Sequence, residues 1–245
     1  MQAIILAAGK GERLQPLTNT MPKCMVKIQN QPLIIHTLNH LSTTGKIDEV
    51  IIVCGYMASM IQEYIGDVYQ GMRISYIENK KFDITNNVYS LYLVGNKIHM
   101  DCILLECDLY YQQSVIDSII DSDADCSIVV SLYNKKTMDG TIIIANNGMA
   151  KELLIKSHQD EERDYSDAYK TVNIYKFKET FYNKKLSPAL ETYIKTGNLQ
   201  SYYELVLGSL IYYRNDNIRI NVVDENLWYE IDDLKDYERV NKCLA

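Results

Sequence analysis

The chain has 245 residues, 47% apolar, 23% charged and 10% aromatic, enough to bury a sizeable core in one large domain. Eleven Gly and four Pro, about half of average usage, argue against collagen-like, linker-rich or disordered chains. A formal charge of −7 argues against a nucleic-acid partner, which usually meets a basic face, although a few placed cations and a divalent ion can reverse the sign locally.

No run of about 18 apolar residues is present and the mean hydropathy is −0.19, so no membrane partner is expected. The segment Met1-Gln2-Ala3-Ile4 lacks a basic stretch and a cleavage site, and reads as a first strand, not a signal peptide. A cytoplasmic location is therefore expected. Six scattered cysteines without CxxC spacing read as buried thiols.

In chain order, residues 3–6 predict a strand followed by a glycine-bearing loop. A helix is expected from Pro32 to about Leu41, with Gly45 beyond its end. Strands at 49–53 and 73–77 bracket a helix at 57–65, and Asn86 is a candidate N-cap for a helix carrying Val88, Leu91 and Leu93. Residues 102–106 predict a buried strand ending in acid, then a helix at 114–120. This alternation implies an α/β fold, a mostly parallel sheet with helices on both faces.

After residue 125 the rhythm changes. Strands are expected at 127–132, 141–145, 171–177 and 218–223, with residues 135–140 as a turn between the first two. Helices are expected at 182–196, 201–212 and 232–244. The acidic run 160–167 reads as a solvated loop, with a rim for a cationic substrate as the sharper alternative. His36 and His40 share a helix face at i, i+4 but have no third ligand nearby in sequence, so a semi-buried pair is expected.

The first 27 residues carry the most chemistry: Leu6-Ala7-Ala8-Gly9-Lys10-Gly11, then Arg13, Pro16-Leu17-Thr18 and Pro22-Lys23. Glycines let backbone N–H groups approach phosphate oxygens, and a helix start behind them favours negative charge. The stretch departs from the dinucleotide fingerprint, because Leu14 takes the place of its third glycine, and it is not a GxxxxGK[ST] loop.

LAAGxGxRLxPLTxxxPK resembles the signature of the nucleotidyltransferases that make sugar-nucleotides and CDP-alcohols. Asn87-Val88-Tyr89-Ser90 and its neighbours resemble choline-phosphate cytidylyltransferases. Met138-Asp139-Gly140-Thr141, Lys170–Tyr175 and Trp228–Asp233 resemble the cytidylyltransferase domains of phosphonate pathways. The resemblance implies a Rossmann-like domain over residues 1–245, with a nucleotide-binding half at about 1–125 and an acceptor-binding half, with added strands, at about 126–245.

It also implies roles. Arg13 and Lys23 are the expected catalytic cations, and Leu6, Ala7, Ala8, Gly9, Gly11, Asn87 and Ser90 complete the nucleotide site. Asp108 and Asp232 are the expected Mg²⁺ ligands, with Asp233 as the rival to Asp232. Nucleotidyl transfer brings two anions together, so its catalysis is mainly charge neutralisation and alignment, and hard carboxylate oxygens suit Mg²⁺. Glu106-Cys107-Asp108 stands where many sugar enzymes have Gly-Asp, which makes the sugar branch the less favoured one.

For the acceptor, a carboxylate with aromatic rings is a physical recipe for an ammonium group. Asp139, Tyr133, Tyr175 and Trp228 fit it, and the matching blocks add Lys170, Asn173 and Glu230. The expected partners are CTP and a small phosphono or phosphorylated amine, 2-aminoethylphosphonate ahead of phosphocholine, with a homodimer left open. The competing readings are a sugar-1-phosphate nucleotidyltransferase using dTTP or UTP and a catalytically silent nucleotide-binding regulator.

Overall fold

The structure is a computed structural model and describes residues 1–243. The first strand, β1 (Gln2–Ala7), is buried along its whole length. Its apolar run does not alternate with polar residues because both sheet faces are covered. Ala3, Ile5 and Ala7 join one core, while Ile4 and Leu6 join the other. A short ribbon, β2 (Lys27–Ile28) and β3 (Gln31–Pro32), turns through Gln29 and Asn30, both with left-handed φ. It leads into α1 (Leu33–Thr43), capped by Pro32 as the Pro-first pattern predicts.

The expected alternation follows. β4 (Glu49–Cys54), α2 (Ala58–Ile65), β5 (Val68–Tyr69) and β6 (Met72–Glu78) precede α3 (Asn87–Val94), whose cap is Asn86. Then come β7 (Cys102–Glu106), β8 (Leu109–Tyr111) and α4 (Gln113–Ile120). Strands β7, β1, β4 and β6 lie side by side in that order, all parallel. Helices α1 and α4 supply Ile35, Leu38, Ile116 and Ile119 to one core, and α3 supplies Leu91 to the core on the opposite face.

The second half begins with β9 (Cys126–Leu132), β10 (Ile142–Asn146), β11 (Met149–Leu154) and β12 (Tyr169–Phe177). β9 and β10 were both expected, but they do not pair with each other. β10 pairs antiparallel with β11, a strand missing from the sequence reading, through Asn147 and Gly148, both with positive φ. Asn-Gly is a strong hairpin signal. It was overlooked because β11 alternates polar and apolar residues only loosely.

β12 runs antiparallel to β7 on one side and to β9 on the other, so one ten-stranded mixed sheet contains strands from both halves. The expected helix at 182–196 is α5 (Glu179–Phe181), passing through a wide π-type turn at 182–186 into α6 (Ser187–Lys195). After it come α7 (Tyr203–Arg214), β13 (Ile218–Val222), β14 (Trp228–Glu230) and α8 (Leu234–Cys243). The expected last helix residue, Leu244, lies outside the described residues. Helix α7 covers the second core with Val206, Leu207 and Leu210. No helix of the described residues is long and apolar enough to cross a membrane.

Ile5, fully buried on the central strand, has no room to be shortened without leaving a void. Ile5→Ala should lower unfolding free energy by about 2–5 kcal/mol in chemical denaturation. Tyr213→Ala, at a highly exposed position, should stay within about 0.5 kcal/mol of wild type.

Candidate active site

The loop after β1 is shaped by two contacts. Gly11 has φ +65°, and a Cβ there would lie 2.9 Å from Cβ of Lys23. Thr18 Oγ1 donates to the Gly11 carbonyl at 2.8 Å, closing the loop on itself. Leu14, in the place of the third glycine, is fully buried against Ile28, Leu33, Ile231 and Val240. The loop is therefore anchored by packing where the dinucleotide motif uses a glycine.

Two further segments meet it. β8 and β14 form an antiparallel ribbon in which Leu109 faces Glu230, and the Ile231 N–H donates to the Asp108 carbonyl at 2.9 Å. This register brings Asp108 and Asp232 to one point although 124 residues separate them in the chain. The Lys23 ammonium donates to Asp108 Oδ2 at 2.6 Å and to Asp232 Oδ1 at 2.9 Å, and Arg13 pairs with Asp232 at 3.0 Å. Asp233, the rival, accepts from the N–H groups of Lys235 and Asp236 and thereby caps α8.

Burial by itself would lower the Lys23 ammonium, but Asp108 and then Asp232 raise it well above the usual lysine range. Burial would raise the Asp232 carboxyl, and Lys23 followed by Arg13 holds it below the usual carboxylate range. Lys23 is thus a fixed positive charge and not a proton acceptor. Asp108, Glu230 and Asp232 each offer an oxygen, all within 4.8 Å of one another. Asp108 Oδ1 is buried with no hydrogen-bond partner among the described residues. An orphaned carboxylate oxygen beside two more hard oxygen donors fits a divalent cation such as Mg²⁺.

These groups lie in the wall of a cleft of about 940 Å³. Of the expected site residues, Leu6, Ala8, Gly9, Gly11, Arg13, Lys23, Asn87, Ser90, Asp108, Asp139, Lys170, Asn173, Glu230 and Asp232 line it. Ala7 does not: its side chain belongs to the core beneath the sheet. Tyr175 is fully buried between Phe177 and Tyr203, and Tyr133 packs on Ile142, Tyr165 and Ala168. Trp228 opens onto a neighbouring cavity of about 330 Å³, and its ring already carries the Lys170 ammonium at 5.6 Å. The aromatic part of the acceptor expectation is corrected accordingly. The register shift in β12 separates Tyr175 from Asn173 and leaves its ring in the core, and the Trp228 ring is covered by the protein's own cation.

Asn87 lines the cleft with its amide already engaged. Its Nδ2 donates to Glu106 Oε1 at 3.0 Å and to Glu204 Oε2 at 3.5 Å, and its Oδ1 accepts from the Tyr203 N–H at 3.1 Å. The Asn87 amide therefore serves two carboxylates. Lys170, 2% exposed, pairs with Glu230 at 3.3 Å and donates to the Thr171 carbonyl at 2.8 Å. Asn173, with φ 59° where the register of β12 shifts, donates to Glu230 at 3.3 Å. Asp139 sits at the mouth, its carboxylate paired with Lys156 and accepting from the Gly140 N–H.

Sequence reasoning missed Glu106 as a site residue and missed Glu204 altogether. Glu204, in the first turn of α7, looked like an ordinary helix-start acid, and only the fold turns it into the cleft. Burial pushes the carboxyls of both up, and Asp108 adds to the effect at Glu106. His36 and His40 bond separately, to the Ile28 carbonyl and to the Gln113 side chain. The acidic run 160–167 is absent from the cleft wall, and Arg163 within it pairs with Glu152 through two 2.7 Å bonds.

Gly9 and Gly11 make opposite predictions. A Cβ on Gly9 would meet nothing within 4 Å, so Gly9→Ala should melt within about 2 °C of wild type. Gly11→Ala is strained by φ and pushes on Lys23, and should lose about 1–3 kcal/mol in the same experiment. Equal melting temperatures for the two variants would contradict the packing of this loop.

Comparison with known proteins gives the family and the fold relatives. The nucleotidyl transferase family model matches residues 2–243. A CMP-5'-(3-aminopropyl)phosphonate synthase from Streptomyces rubellomurinus is 28% identical over 242 residues, 98% of this chain and 38% of that protein. This chain thus spans well under half of that relative's length. A choline-phosphate cytidylyltransferase from Streptococcus pneumoniae is 26% identical over 250 residues, 100% of this chain and 98% of that one. In fold, the CTP:phosphocholine cytidylyltransferase structure from Streptococcus pneumoniae covers 100% of this chain and is itself covered to 99%, with a TM-score of 0.79 at 22% identity. The family match over residues 2–243 spans nearly the whole chain, and the chain belongs to the nucleotidyl transferase family.

Proposed function

We propose that the protein is a Mg²⁺-dependent cytidylyltransferase that moves CMP from CTP to a small phosphono or phosphorylated amine and releases pyrophosphate. 2-Aminoethylphosphonate is the favoured acceptor and phosphocholine the next. The observation that carries this reading is the Lys23 ammonium held between Asp108 and Asp232 on the floor of the cleft. The named relatives, one an aminopropylphosphonate enzyme and one a choline-phosphate enzyme, support the choice of acceptor class.

The chemistry follows from charge. An oxygen of the acceptor's phosphonate or phosphate attacks the α-phosphorus of CTP, and the bond to the bridging oxygen of pyrophosphate breaks in line with it. The attacking oxygen is already anionic, so no general base is needed. Lys23 neutralises charge that grows on the α-phosphate, while Arg13 and the N–H groups of the Gly9–Gly11 loop hold the departing phosphates. Leu6 and Ala8 at the strand end, with Ser90 across from them, offer the small surface on which the base rests. Asp108, Asp232 and Glu230 would hold Mg²⁺, which supplies Lewis-acid neutralisation of the phosphate oxygens. Lys170 and Asn173 keep Glu230 in place and present a cation to the acceptor's anionic end.

Pyrophosphate release should be fastest with CTP among four nucleoside triphosphates, and with a phosphono amine among acceptors that include glucose-1-phosphate. A preference for dTTP or UTP with the sugar phosphate would replace this reading by the sugar-nucleotide one. Activity should vanish in EDTA. Asp108→Asn and Asp232→Asn should each lower kcat at least roughly 10²-fold, the scale of removing one electrostatic stabiliser.

The ammonium of Lys23 meets more negative charge in the transition state than in the ground state. Lys23→Ala should therefore lower kcat by more than it raises KM for CTP. A variant with wild-type kcat and a raised KM would make Lys23 a binding residue only.

A further inference from the structure

Two carboxylates in the cleft have no part in the chemistry described so far. Glu106 closes the C-terminal end of β7, and Glu204 lies in the first turn of α7 and is 4% exposed. Both line the same cleft as Lys23 and the three metal-type carboxylates. One nitrogen, Asn87 Nδ2, reaches both of them, and the Asn87 amide is itself fixed by the Tyr203 N–H. Thr141 Oγ1 donates to the remaining oxygen of Glu204 at 3.4 Å. The pair is therefore held in place by neutral donors from α3 and from the start of β10.

Among the described residues neither Glu106 nor Glu204 makes an ion pair, while the lysines of the same wall pair with other acids: Lys23 with Asp108 and Asp232, Lys170 with Glu230. Carboxyl groups withdrawn from water, lining a cavity and outside any ion pair offer acceptor oxygens that a cationic ligand group would satisfy. We propose that Glu106 and Glu204 form the subsite for the ammonium end of the acceptor and select a primary ammonium over a trimethylammonium. This rests on the reading of the cleft as a transferase site for a phosphono or phosphorylated amine.

The selection follows from the donors. A primary ammonium has three N–H bonds to give, and the carboxylate oxygens are acceptors for them. A trimethylammonium has none and is held best by several aromatic faces. Phe82 and Tyr202 are the aromatic residues in this cleft wall, and Lys10 already lies over the Phe82 ring at 5.8 Å. A polar pair without a cage favours the primary amine.

The test is calorimetric titration of the whole protein with Mg²⁺ and a non-hydrolysable CTP analogue. The probes are 2-aminoethylphosphonate, its neutral isostere 2-hydroxyethylphosphonate, and phosphocholine. Wild type should bind the aminophosphonate about tenfold or more tightly than either other probe. Glu106→Gln and Glu204→Gln keep the hydrogen-bonding shape and remove the charge. Each should weaken the aminophosphonate about 10- to 100-fold, the range for charge-assisted hydrogen bonds, and leave 2-hydroxyethylphosphonate within about twofold. If Glu204→Gln does not fold, the half-buried Glu106→Gln decides alone. Unchanged aminophosphonate binding in a folded variant, or tighter phosphocholine in wild type, overturns the proposal. Pyrophosphate release measured in parallel separates the two readings. Transfer that persists while binding ignores the Gln variants removes the subsite and keeps the transferase. Absent transfer with any acceptor removes the transferase reading, and the titration still decides the subsite.

Discussion

One ammonium group ties the cleft together. Lys23 leaves a short turn of the N-terminal loop, Asp108 follows the strand β7, and Asp232 follows the strand β14, yet all three converge within hydrogen-bonding distance. Each carboxylate would repel the other without the cation between them, and a buried ammonium without them would give up its proton more readily. The three segments are therefore mutually dependent. The loop glycine, the β8–β14 ribbon and the buried Leu14 all serve to hold this arrangement at one height in the cleft.

The surrounding charge has a consistent logic. The cleft wall carries Glu106, Asp108, Asp139, Glu204, Glu230 and Asp232 in a protein of net charge −7. An anionic nucleotide could not approach such a wall unaided. Arg13, Lys10 and the glycine loop line the same cleft, and the carboxylate trio could hold a divalent ion that would offset the rest. On the proposed reading, this mixture of cations and acids suits a substrate that carries both signs.

The sheet explains how one chain builds both walls. β12 lies between β7 of the parallel half and β9 of the antiparallel half, so residues from either half sit one strand apart. The register shift in β12 lifts Asn173 out of regular alternation and toward Glu230. The same strand keeps Tyr175 on the core side, which is why an aromatic residue two positions from a site residue is itself no part of the site.

Much of this was legible in the amino-acid sequence. The alternating elements of the first half follow from local pattern, because strand and helix periods and loop glycines are set by residues near one another in the chain, while Arg13, Lys23, Asp108 and Asp232 were singled out by the resemblance of the motif blocks to a known family. The caps at Pro32 and Asn86 are local for the same reason. Non-local placement was not legible. The pairing of β10 with β11, the pairing of Lys170 with Trp228 and Glu230, and the meeting of Glu106 with Glu204 across 98 residues depend on which faces the sheet turns inward. A side chain's type is written in the sequence. Whether it meets solvent, core or substrate is decided only when distant strands are brought together, since burial and counterions belong to the packed chain and not to any one segment.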